Sequence, residues 1–113
     1  MGGDGLQILK GTLEILILRT LNRKPNHGYG IARWLREVSS DEFQVEEGAL
    51  YPALRRFEKR GLIGSVWEVT DSGREAKIYR LTSLGEETLG AASANWDRYV
   101  SAMSRVLEAG GER

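Results

Sequence analysis

Cysteine is absent from this chain of 113 residues, and His27 is its one histidine. Without thiols there is no disulfide, no thiolate metal site and no thiol nucleophile, and the composition suits a reducing compartment, so the expected location is cytoplasmic. A lone histidine leaves no zinc-type ligand set, which takes about three or four donors, so neither metal nor cofactor is expected. Net charge is lacking as well, since 16 basic residues balance 16 acidic ones. That excludes a histone-like polycation but not nucleic-acid binding, for which only the contact face has to be basic. The densest apolar run, Leu13 to Leu21, is broken by Glu14 and Arg19. It falls far short of the roughly 20 residues a membrane crossing needs. Met1 to Gly5 shows neither the basic region nor the cleavage pattern of a secretory signal and reads as a mobile lead-in. No phosphate-binding glycine loop and no carboxylate pair in an evident cleft accompany the single histidine, so an enzyme is not expected.

What is present suits one globular domain with an appendage: 41% of the residues are hydrophobic and 28% charged, over a length that supports a single core. Leu6 to Leu21 is dense in Leu and Ile, with Lys10 and Glu14 four apart on a polar face, and reads as a largely buried first helix. Asn22 to Pro25 ends it. Asn26 is the expected N-cap of a second helix over about His27 to Val38, whose apolar face is Ile31, Trp34, Leu35 and Val38. After a short extended piece at Phe43 to Val45, a third helix begins at Glu46 and Glu47 and runs to about Arg60, with Gly61 as its stop.

The period then changes. Leu62 to Val69 alternates, Lys77 to Leu81 is rich in β-formers, and the polar Thr70 to Glu75 between them carries turn chemistry, which together predict a hairpin. Ser83 with Glu86 forms a capping box for a last helix reaching about Ala109, followed by a frayed tail at Gly110 to Arg113. The expected fold class is therefore mainly α with a small β-hairpin: a winged helix-turn-helix domain over residues 6–82 and a long C-terminal dimerisation helix over residues 83–109.

Two surfaces stand out. On the third helix Leu50, Leu54 and Phe57 share one face with Ala53 at its edge, while Gly48, Tyr51, Pro52, Arg55, Arg56 and Lys59 gather opposite. A face that is slim at its start and basic further on suits the DNA major groove, with Arg74 and Lys77 near the hairpin tip reaching the backbone or minor groove. Taken on the helix alone, the same cations also describe an ordinary solvated face, and Arg80 reads equally as a solvent-facing strand residue. From Tyr51 to Arg80 there are seven basic and four acidic residues, and after Arg80 the balance reverses to three against five. A winged helix used for protein contact without DNA is the alternative, and it has no need of cations gathered on one helix face and the wing. On the last helix Leu89, Ala92, Trp96, Tyr99, Met103 and Val106 recur at alternating spacings of three and four, a heptad seam that calls for a partner surface and hence a homodimer.

Five strings in register carry a family likeness: Lys10-Gly11-Thr12-Leu13, His27-Gly28-Tyr29-Gly30-Ile31, Glu47-Gly48-Ala49-Leu50-Tyr51-Pro52-Ala53-Leu54, Glu58-Lys59-Arg60-Gly61-Leu62-Ile63 and Tyr79-Arg80-Leu81-Thr82. Together they resemble the PadR family of transcriptional regulators, over roughly residues 6 to 109, in its compact branch with a single C-terminal helix. The resemblance implies a dimer that represses transcription at a double-stranded DNA operator, with Tyr51, its neighbours and the wing meeting DNA. Pro52 belongs to the family pattern, and its effect there is to delete one helical hydrogen bond. Some compact members hold flat aromatic compounds against tryptophan at the dimer interface. That makes Trp96 either a contact for a small aromatic effector or a plain interface anchor. His27 reads as a local hydrogen-bonding residue or a phosphate contact.

Overall fold

The computed structural model describes residues 5–109; the expectations for Met1 to Asp4 and for the Gly110 to Arg113 tail lie outside them. Four helices and three short strands follow in the order α1 (Thr12–Arg23), β1 (Asn26–His27), α2 (Gly28–Val38), α3 (Glu47–Lys59), β2 (Ile63–Val69), β3 (Glu75–Leu81) and α4 (Ser83–Ala109). The core is one cluster: Ile17, Leu18 and Leu21 from α1 pack with Ile31 and Leu35 from α2 and with Leu50, Ala53, Leu54 and Phe57 from α3. Leu62, Ile63, Tyr79 and Leu89 close it from the sheet and from the start of α4. The apolar face expected for the third helix is therefore its buried face.

The first helix is shorter than its leucines suggest. Leu6 to Gly11 is not helical, because Gly11 turns the chain at φ +88° and the Thr12 amide and hydroxyl both donate to the Leu9 carbonyl, at 3.0 and 2.7 Å. Lys10 thus lies outside the helix, and Glu14 meets Arg60 of the α3 C-cap instead. Gly5 is no loose lead-in: the Leu6 amide donates to Glu42 O at 2.8 Å, and a Cβ on Gly5 would collide with that same carbonyl.

His27, not Asn26, caps α2. Its Nδ1 accepts the Gly30 amide at 3.0 Å, which leaves Asn26 to accept the His27 amide at 2.9 Å. Both residues have extended backbone and add a third strand to the expected hairpin, with Asn26 opposite Tyr79 and His27 opposite Ile78. The sheet order is β1-β3-β2, antiparallel throughout. Val38, expected on the apolar face of α2, is exposed, because the helix ends where the core does. Phe43 to Val45 is half-buried and pairs with no strand.

Gly61 stops α3 at φ +79°, and Gly73 forms the wing turn at φ +83°, where its amide reaches Thr70 O at 2.9 Å and the Thr70 amide reaches Arg74 O at 2.7 Å. The α4 cap also sits one residue earlier than expected. Thr82 Oγ1, rather than Ser83, accepts the Gly85 amide at 3.0 Å. Thr82 is fixed for this by β3, since its amide and hydroxyl reach the Leu62 carbonyl at 3.1 and 3.0 Å.

Candidate nucleic-acid interface

Alternation along the hairpin decides what the wing turns towards α3. Ile63 at its base is in the core, so residues in step with it, Ser65 and Trp67 on β2 and Lys77 and Tyr79 on β3, share the core-facing side. Near the base that side is buried. Towards the tip it leaves α3 and opens a groove of about 610 Å³ between the wing and the beginnings of α2 and α3. Tyr51, Arg74 and Lys77 line it, together with His27, Tyr29 and Trp67. Tyr51 is seated tightly, because a Cβ on Gly28 would come within 2.6 Å of its hydroxyl; only glycine at the start of α2 leaves room for the ring.

The other sequence-selected residues spread around α3. Pro52, Arg55, Arg56 and Lys59 border a neighbouring hollow with Glu58, while Gly48 and Arg56 also border a hollow against Leu6 to Gly11. At roughly 100° per residue Tyr51 and Arg56 are the two rims of one exposed face, with Gly48, Pro52, Arg55 and Lys59 between them. A Cβ added to Gly48 meets nothing, so the first turn stays open for close approach. Pro52 sits within an otherwise continuous helix. Among the described residues no carboxylate pairs with Arg55, Arg56, Lys59 or Arg74, whereas Lys77 Nζ lies 3.6 Å from Glu58 Oε1 and 5.7 Å from the centre of the Tyr79 ring. Arg60, one step past the helix, is turned away, with Nη1 2.9 Å from Glu14 Oε2 in an ion pair not aligned as a hydrogen bond.

Burial, then the nearby Glu47 and the Tyr79 phenol, raises the Tyr51 phenol above its ordinary pKa. Burial and then Glu58 raise Tyr79, with Arg55 opposing. Both hydroxyls are therefore neutral donors at physiological pH. His27 shows the local reading, as the cap of α2, with its ring stacked 6.3 Å from that of Tyr29. The sequence reading missed Tyr29 and Trp67, each about two-thirds exposed, and Glu58. The strand alternation that grouped Trp67 with Ile63 was the available signal for the tryptophan.

The seam on α4 divides in two. Leu89 is buried in the chain's own core and so is not a free contact residue, while Ala92 is half-buried. Beyond them Trp96, Tyr99, Met103 and Val106 are exposed, and Val100 and Leu107, not read from the heptad, widen the stripe. Trp96 and Tyr99 stack with ring centres 5.9 Å apart. A shallow pocket on this helix is lined by Tyr99, Ala102 and polar or charged neighbours from Asn95 to Arg105 and does not include Trp96. Among the described residues no helix is long and apolar enough to cross a membrane.

Residues 17–91 match the family described as the transcriptional regulator PadR-like family. The transcriptional regulator Rv3488 of Mycobacterium tuberculosis is 42% identical over 57 residues, 50% of this chain and 52% of that one. Among solved structures, a PadR family transcription regulator from Clostridium difficile R20291 superposes with a TM-score of 0.76 at 36% identity, covering 86% of this chain and 99% of that one. A PadR-like transcriptional regulator from Bacillus cereus gives a TM-score of 0.78 at 30% identity, covering 92% and 97%. With most of the winged-helix core inside the matched span and the same fold recurring in these relatives, the chain belongs to the PadR family of transcriptional regulators and is not an enzyme.

Proposed function

We propose that this regulator works as a homodimeric repressor that reads a short, roughly palindromic operator through the exposed face of α3 and the wing. The observation that carries the reading is the placement of Arg55, Arg56 and Lys59 on that face, free of ion pairs among the described residues, beside a wing bearing Arg74. Cations on the helix rim and the wing meet phosphates, which supply affinity for any sequence. The slim first turn at Gly48 and Pro52 brings Tyr51 and Arg55 towards base edges, which supply sequence preference. The exposed stripe from Trp96 to Leu107 supports pairing through α4, since a row of large apolar side chains on a free helix is covered best by another copy of itself. Two-fold symmetry then sets the two α3 helices about 34 Å apart, one turn of the duplex, so that bound protein occludes the promoter.

A small aromatic ligand at the junction of the two α4 helices, against Trp96, completes the proposal. The stacked Trp96 and Tyr99 rings offer it a flat apolar wall. Gel shifts on DNA from the protein's own promoter region, with light scattering on the same sample, test the reading. A retarded complex with two chains per duplex, abolished by raised salt, is the expected result. A dimer that shifts no DNA favours the protein-contact alternative.

A further inference from the structure

Glu58 is a carboxylate set among the cations of α3, and both of its oxygens are engaged with the wing. Oε2 accepts the Ser65 hydroxyl of β2 at 2.7 Å, and Oε1 lies 3.6 Å from Lys77 Nζ of β3. One side chain therefore joins three elements. Each partner of the ion pair retains about a third of its exposure, and the serine fixes the carboxylate before the lysine arrives, which reduces the ordering cost that makes most surface pairs weak. We infer that Glu58 is a positioning residue for DNA selectivity: it withholds Lys77 from phosphates and locks the wing to the recognition helix. The inference rests on the DNA-binding reading above.

A free Lys77 would add affinity without selectivity. An ammonium on the groove wall binds any phosphate, so it strengthens every sequence without distinguishing them. Paired with Glu58 it contributes less to such binding. Moving it to a phosphate would leave an unpaired carboxylate facing DNA. With the hairpin tied to α3 through Ser65 and Lys77, wing and helix meet the duplex together, and a sequence whose shape fits only one of them gains little by adjustment of the other.

The test uses the full chain and two duplexes: one recovered by the wild type from a randomised pool, and a scrambled duplex of the same length and composition. Binding is followed by fluorescence anisotropy over a series of salt concentrations. Glu58→Gln keeps an acceptor for Ser65 and removes the charge. It should tighten the scrambled duplex roughly fivefold, the size of one surface ion pair gained. The salt slope should steepen by about 0.9, one added phosphate contact. The selected duplex should gain less, so the ratio between the two falls. The double variant Glu58→Gln, Lys77→Met should restore the wild-type slope, which a purely structural role for Glu58 does not predict. Lys77→Met alone, leaving the carboxylate bare, should weaken both duplexes with the slope unchanged. Unchanged slope and ratio in Glu58→Gln, with a wild type that selects DNA, overturn this inference alone. A wild type that binds neither duplex overturns the DNA reading and this inference with it.

Discussion

Alanine at Gly85 and alanine at Gly90 are the same substitution within the same helix, and the structure gives them opposite signs. Gly90 is exposed, and a Cβ there meets nothing within 4 Å. The substitution gains only helix propensity, about 0.8–1 kcal/mol. Gly85 is buried, and its Cβ would strike the Leu62 carbonyl oxygen and approach Leu81 Cδ1 to 2.7 Å. That carbonyl has nowhere to go, because it accepts both the Thr82 amide and the Thr82 hydroxyl. The start of α4 must lift instead, straining the packing by about 1–3 kcal/mol. It also stretches the Gly85 bond to its cap, worth about 1 kcal/mol. After the propensity gain the net loss is about 1–3 kcal/mol. For a domain of this size each kcal/mol is roughly 4–8 °C in Tm. Gly90→Ala should therefore melt several degrees above the parent and Gly85→Ala several below, in circular-dichroism melts at one fixed protein concentration, since association also shifts Tm. A Gly85→Ala protein melting at or above the parent would refute the account of how α4 is joined to the sheet.

Leu54→Ala, at a fully buried position, should cost about 2–5 kcal/mol in urea melts and lose DNA binding only through unfolding. Arg74→Ala should weaken selected and scrambled duplexes alike and lower the salt slope by about 0.9 per lost phosphate contact, with an unchanged melt; an unaltered slope would remove the wing tip from the interface. Met103→Asp should convert pairs to single chains in light scattering while leaving the head folded, because the residue is outside the core. Tyr79 is an acid whose folded pKa is raised, so the stability it contributes is complete below its ordinary pKa of 10.0 and declines as pH rises through the higher folded value. Melts above that pH should show the decline, with Tyr79→Phe less sensitive and the phenolate absorbance reporting the ionisation directly.

Periodicity made the helices and the hairpin legible, because each buries one face and repeats its apolar residues at the spacing of that face. Leu50, Leu54 and Phe57 on α3 and Ile63 on β2 show how directly burial writes itself into spacing. The features that escaped are held by single hydrogen bonds, which leave no period. His27 and Thr82 took the capping roles read for Asn26 and Ser83, each because pairing with the sheet placed it one position away from the nearest familiar capping residue. The two-residue β1 is too short to alternate. In the candidate site the free cations of α3 were readable as a face, whereas the bond from Lys77 to Glu58 joins residues far apart in the chain and is visible only once the hairpin is folded against the helix. Leu89 illustrates a different limit: a heptad cannot tell where a helix leaves its own core and begins to serve another surface.

That point of departure makes α4 a lever. Its 27 residues extend about 40 Å, and Leu89 is the last of them to be buried, leaving an arm of roughly 30 Å beyond it. A tilt of about 5° at the fulcrum displaces the far end by roughly 2.6 Å, about half a helical turn. In the proposed dimer the same lever works in reverse: a change of an ångström or two in how the arm tips are seated would turn each head through about 2–4°, and the spacing of the two α3 helices would be geared to it.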